Sequence, residues 1–182
     1  MVISLHPSVP NTGPPQVDDE ADVVKRRRLP LNEFAPGDQH LADAYAYWVT
    51  KRRDGLLPSR KDIDVLNLRP LIGWMHIVDT SAPDAADYRY RLFGTAIRLE
   101  RLWDFRNFRI GDYPSKVYRQ MLLEDYGAVA FSGVPSYHHV VAMLGYIRYS
   151  YSRLILPMAE DGRRVDTLLV CINKRTFDDF TL

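Results

Sequence analysis

Histidine, cysteine and tyrosine are the side chains of this chain best suited to chemistry, and their spacing limits what they can do. His138 and His139 stand side by side in "VPSYHHVVAML" and at first sight suit a metal ion. On an extended strand, however, neighbouring side chains point to opposite faces, so the two imidazoles do not converge on one ion. One faces inward and one outward, and no metal site is expected. A single inward histidine can ligate haem iron. His138, or His76 between Met75 and Ile77 in "WMHIVDT", would be the ligand, but a hydrogen-bonded core or pocket-wall histidine is the plainer reading of each. The cofactor therefore stays unknown.

Catalytic signatures are missing. There is no G-x-G-x-x-G, phosphate-binding P-loop, G-x-S-x-G or H-E-x-x-H. The paired acids Asp18/Asp19 and Asp178/Asp179 lie at polar ends, where acid–base work is hard to enclose. Enzymatic activity is not expected. The single cysteine, Cys171 in "LLVCIN", can form neither an intrachain disulfide nor a cysteine cluster, and reads as a small buried apolar residue.

Tyrosine is the more informative type, with 11 in 182 residues. In "YRYRLFG" strict alternation puts Tyr88, Tyr90 and Leu92 on one face and Arg89 and Arg91 on the other. In "YIRYSYSRLILPM" Ile147, Tyr149, Tyr151 and Ile155 share a face, opposite Arg148, Ser150, Ser152, Leu154 and Leu156. A buried tyrosine hydroxyl wants a partner, so these faces suit a small-molecule pocket or an interface. Tyr88, Tyr90, Leu92, Tyr149, Tyr151 and His138 are the candidate pocket residues. Plain packing or a dimer contact is the competing reading, and the sequence leaves open which face of this strand meets the helices.

The elements that must position these residues follow from hydrophobic period. Residues 1–37 carry Pro7, Pro10, Pro14, Pro15, Pro30 and Pro36 and an acidic block beside the basic Lys25–Arg28, and read as a disordered or loosely attached tail. The domain is expected over 38–182. Leu41, Ala44, Tyr45 and Trp48 recur at helical spacing after a possible N-cap, Asp38. This broad face must pack on its own sheet or on another subunit. The connector "LPSRKDID", Leu57–Asp64, offers Ser59 and Asp64 as alternative caps, Ile63 as a core plug and Arg60 as an exposed contact for a partner. "WMHIVDT" and "YRYRLFG" form a hairpin, "AIRLERLW" a helix capped by Thr95, and about Ser115–Ala130 a longer helix. Three strands follow, "VPSYHHVVAML", "YIRYSYSRLILPM" and "VDTLLVCIN". The result is an α+β antiparallel sheet of five strands. A formal net charge of +1 gives no reason to expect nucleic acid, and no segment approaches a membrane span or a secretory signal, so a cytoplasmic location is the default.

Three stretches, "YWVTKRRDGLLPSRKDID", "HIVDTSAPDAADYRYRLFGTAI" and "YSRLILPMAEDGRRVDTLLVCI", resemble the PAS sensor fold, and more narrowly the bacterial single-domain group PAS_5. The likeness covers most of Tyr47 to Ile172. The chain departs from the family pattern at Val65, where a proline is usual. It departs again at Arg106 and Asn107, where a threonine–glycine pair is usual. The resemblance implies a PAS-like sheet with helices on one face and a domain that senses small molecules, binds cofactors or dimerises. The flavin photosensors of this fold use a cysteine in a short helical N-C-R-F-like motif, which is absent. The favoured reading is a stand-alone sensory or regulatory module that acts as a dimer, with Leu41, Tyr45 and Trp48 as the dimer or output face and a separate effector protein as its partner. A ligand-free interaction scaffold, or a small cone-barrel enzyme with His76 or His138 beside a buried carboxylate, are the alternatives.

Overall fold

The computed structural model describes residues 22–97, 104–144 and 147–174. The helix expected over "AIRLERLW" begins at Thr95–Ile97, and the remainder of that segment, like Asp178/Asp179, lies outside the described residues. The chain opens with β1 (Val23–Leu29) and α1 (Gln39–Lys51). Two short 3-10 turns follow, Arg60–Asp62 and Val65–Leu71. Next come β2 (Met75–Asp79), β3 (Arg89–Leu92), α2 (Lys116–Ser132), β4 (Ser136–Leu144), β5 (Ile147–Met158) and β6 (Thr167–Lys174). The strands form one sheet in the order β1-β4-β5-β6-β2-β3, and every neighbouring pair is antiparallel.

The expected α+β antiparallel sheet is present, with a sixth strand. That strand, β1, falls in the segment read as a tail, and residues 22–37 belong to the fold. Its sequence, "VVKRRRL", hides a strand because most of the stabilisation is remote. All seven residues pair in register with β4, from Val23↔Met143 to Leu29↔Tyr137. Val24 packs on the core, and Arg26 finds two acids on α2. The exposed Lys25 and Arg27 suit an edge strand, where charge discourages pairing with another chain.

Both faces of the sheet are covered. The first core cluster lies under α2 and the 104–115 segment, against inward residues such as Tyr151, Ile155, Leu168 and Val170. The second lies under α1 and the Val65–Leu71 turn, against Leu154, Leu156, Leu169 and Cys171. The strands therefore alternate between two buried faces, and Tyr149, Tyr151 and Ile155 look toward α2. α1 forms for the reason its spacing gives: Leu41, Ala44 and Trp48 are buried on one stripe. Trp48 Nε1 also donates to the Pro157 carbonyl at 3.0 Å. Asp38 stands at the N-cap without capping through its side chain. Its buried carboxylate instead accepts from the Tyr137 hydroxyl and from Asn173 Nδ2, fixing the start of α1 to β4 and β6. In the connector both alternative caps are used in succession. Ser59 and Asp62 form a capping box on the first turn, and Asp64 accepts from Leu66 N at 2.9 Å on the second. α2 runs from Ser115, whose hydroxyl accepts from Tyr118 N, to Gly133 in the left-handed conformation (φ 65°).

Candidate functional site

Between the sheet and α2 the inner face is tyrosine-rich, and a guanidinium lies at its centre. Arg153, on β5, is 1% exposed. It pairs with Asp125 of α2 and lies 5.5 Å from the Tyr126 ring centre. The second oxygen of Asp125 takes Arg26 Nη1 of β1 at 2.9 Å, and Arg26 Nη2 reaches Glu124 at 2.5 Å. Burial alone would lower the pKa of Arg153, but Tyr151 and Asp125 beside it raise it, so the group stays charged. Two of its nitrogens, Nε and Nη1, are buried without a hydrogen-bond partner. Buried polar groups are ordinarily bonded, and a charged donor left open is costly.

Tyrosine hydroxyls surround this centre. Tyr118 and Tyr151 share a hydrogen bond of 2.5 Å across α2 and β5. Tyr90 and Tyr126 are hydrogen-bonded across β3 and α2, and burial pushes both phenols up from their ordinary range. Toward β3 the wall becomes aromatic: Phe105 stacks on Tyr113 at 5.3 Å and packs against Phe93 at 5.1 Å. The loop that carries Phe105 is held to β3 by Asn107 N, which donates to the Tyr90 carbonyl at 2.7 Å. Asn107 is left-handed (φ 63°), so the residue at the place of the family's usual glycine is one of the few others that tolerate that conformation.

The structure brings together most of the expected pocket residues. Tyr88, Tyr90 and Tyr151 are buried in the inner cluster, and Tyr149 packs against it. His138 is buried on the same face. Leu92 is not there: it is 45% exposed. Between β2 and β3 the register slips, Val78 pairing with Tyr90 and Ile77 with Leu92, so Arg91 is the extra residue of a bulge. The slip ends the alternation, and Phe93 takes the inward place instead.

The face offered for dimerisation is also occupied. Leu41 and Trp48 are buried on the chain's own sheet, and Tyr45 packs beside them. His138 and His139 point to opposite faces, as strand geometry requires. His76 is a core histidine, stacked on Phe93 at 4.2 Å with Nδ1 accepting from Gly94 N at 3.4 Å. His138 does lie beside a buried carboxylate, Nε2 being 3.8 Å from Asp125 Oδ1. That distance is too long for the hydrogen bond of a general-base pair, and the carboxylate is engaged by two arginines. Burial, then Arg153, hold the imidazole down to about 3, a poor base at neutral pH. Among the described residues no cluster of three metal-ligating side chains occurs. Cys171 faces the α1 side, away from this interior, and burial raises its thiol to about 12.

Arg153, Asp125, Arg26, Tyr118 and Tyr126 were not among the candidate pocket residues read from the sequence. Two carried a signal: Asp125 interrupts the apolar stripe of α2, and Arg153 stands between Tyr151 and Ile155 on the inward face of β5. A charge at a core position asks for an opposite one, and these two answer each other. Among the described residues no helix is long and apolar enough to cross a membrane.

Comparison of the chain with curated proteins and with solved structures returned no match. A family model, PAS_5, described as PAS domain, matches residues 38–168. That span runs from the cap of α1 to the first two residues of β6, and takes in β2 to β5 whole and the tyrosine-lined interior. The chain belongs to the PAS domain family, a class of sensory and regulatory modules.

Proposed function

We propose that this domain is a cytoplasmic sensory module that takes a small molecule with hydrogen-bond acceptors between its sheet and α2, and passes the signal to a second polypeptide. The observation that carries this reading is Arg153: a charged group at the centre of the interior with Nε and Nη1 open, ringed by Tyr118, Tyr126 and Tyr151. An acceptor on a ligand would satisfy those donors in a dry setting, where such bonds are strongest. The Asp125–Arg26 pair then couples interior to exterior. A ligand that draws Arg153 away from Asp125 alters the anchor of β1, and β1 leads into α1 on the opposite face.

The output surface lies outside the buried stripe of α1. Val65 and Leu66, in the turn that follows the connector, and Ile72, directly after that turn, are exposed large apolar residues. They are the surface for a second copy of the chain or a separate effector. Native mass spectrometry of protein purified without denaturation tests the ligand reading. A non-covalent adduct that is lost in Arg153→Met supports it. Apo protein alone, with no thermal shift across a library of polar metabolites, refutes it.

A further inference from the structure

A half-open crevice of about 370 Å³ lies at the edge of the sheet, where β1 and the start of β4 face the C-terminal half of α2. It adjoins the tyrosine-lined interior, with Asp125 and His138 common to both, and β1 supplies one wall. Its floor holds Ser136 and His138, 4% and 5% exposed. Ser136 Oγ and His138 Nδ1 are both buried without a hydrogen-bond partner. Two adjacent orphans on one floor are unusual, because buried polar groups are almost always bonded.

The wall adds an unused charge. Arg28 is the register partner of His138 on β1 and lines the crevice. Arg26 is held by Glu124 and Asp125, whereas Arg28 makes no ion pair among the described residues. Among the described residues Arg26, Arg28 and Arg153 together face two acids, Glu124 and Asp125, which leaves one positive charge over. His138 adds none, since its imidazole is neutral at ordinary pH. Nε2 is the ring nitrogen that faces the Asp125 oxygen, at 3.8 Å, and that negative charge favours the proton there, which leaves Nδ1 as an acceptor. The remaining lining is Ala128, Val129 and Val134, with Ser132, whose hydroxyl is already taken by the Ala128 carbonyl and Val134 N.

We infer that this crevice binds a small hydroxylated carboxylate. The carboxylate lies on Arg28, where a guanidinium matches it with two parallel donors. The ligand's hydroxyl serves Ser136 Oγ and His138 Nδ1, and its short carbon skeleton lies on Val129 and Val134. One negative charge balances the surplus. A dianion such as inorganic phosphate would exceed it and would leave the apolar side uncovered.

Titration calorimetry and amide NMR on the full chain, at constant ionic strength in chloride, test this with lactate, propionate and inorganic phosphate as probes. Lactate is expected to bind more tightly than propionate and to shift the amides of Ser136 and His138. Arg28 is exposed, so Arg28→Gln leaves the fold intact, and it weakens lactate about tenfold or more, the loss of a charge-assisted bond. Arg28→Lys recovers part of that loss, and Ser136→Ala costs a few-fold. Arg91→Gln, at the opposite edge of the sheet, changes nothing. The proposal is overturned by no saturable lactate binding at millimolar concentrations, by equal affinity in Arg28→Gln, or by phosphate binding more tightly than lactate. Equal binding of lactate and propionate would remove the hydroxyl from the assignment.

Discussion

Asp125 Oδ1 lies 2.9 Å from Arg26 Nη1, and through that contact the first strand is fastened to the same carboxylate that neutralises the buried Arg153. One acid thus serves two bases, one in the core and one on the edge. Asp125→Asn keeps the shape and removes the charge. Because it leaves Arg153 buried and uncompensated, it should destabilise the domain by about 3–5 kcal/mol. Urea unfolding monitored by circular dichroism measures this, and a cost below 1 kcal/mol would show the pair to be dispensable, given about 0–1 kcal/mol for exposed pairs.

His138 predicts a pH dependence. Its folded pKa is depressed to about 3, against 6.5 for the unfolded chain, by burial and then by Arg153, Arg26 and Arg28. Between these values the unfolded chain binds the proton and the native state does not. The contribution is present above the unfolded value and is lost as pH falls through the window toward 3. The slope approaches one proton, at most about 1.4 kcal/mol per pH unit. The difference between wild type and His138→Gln, followed by urea midpoints from pH 7 to pH 4, isolates it. Parallel profiles would contradict the burial of a neutral imidazole.

Trp48 tests whether α1 belongs to this sheet. Trp48→Ala removes a fully buried ring and the bond to the Pro157 carbonyl, and should cost about 3–5 kcal/mol. Trp48→Glu should unfold the domain. A folded Trp48→Glu protein with a halved mass by light scattering would instead place the ring in a contact between copies.

Two glycines should behave oppositely. A Cβ on Gly94 would lie 2.2 Å from the Gly73 carbonyl oxygen, a backbone atom that cannot yield cheaply. Gly94→Ala should therefore cost about 3 kcal/mol or more. On Gly127, inside α2, the nearest atom is Ala85 Cβ at 3.6 Å, an ordinary contact. Gly127→Ala should stabilise by about 0.5–1 kcal/mol through helix propensity. Thermal melts of the two variants decide, and a stable Gly94→Ala would show that β2 and β3 do not close as described.

What the sequence disclosed depended on whether a residue's partner was local. The period of Leu41, Ala44 and Trp48 marks α1, and the alternation in "YRYRLFG" marks β3 as far as Tyr90. The bulge at Arg91 depends on pairing with β2, and it is why Leu92 went to the wrong side. β1 was lost for the same reason. "VVKRRRL" looks solvated until β4 and Asp125, more than a hundred residues away in the case of β4, supply its partners. The tyrosines of the interior were legible by type and alternation. Arg153 was visible only as a charge on a strand face otherwise apolar, and its meaning required α2 to place Asp125 opposite.

The state of the Arg153 side chain is the most direct test of a ligand in the interior. Arginine-selective ¹⁵N labelling resolves its Nε–H signal, assigned by its loss in Arg153→Met. The signal is compared between protein as purified and protein unfolded, washed and refolded. If a molecule occupies the interior, the two samples differ at Arg153 Nε, and adding back the small-molecule wash restores the first spectrum. Superimposable Arg153 signals, unchanged by the wash, would contradict the proposal that this arginine receives a ligand.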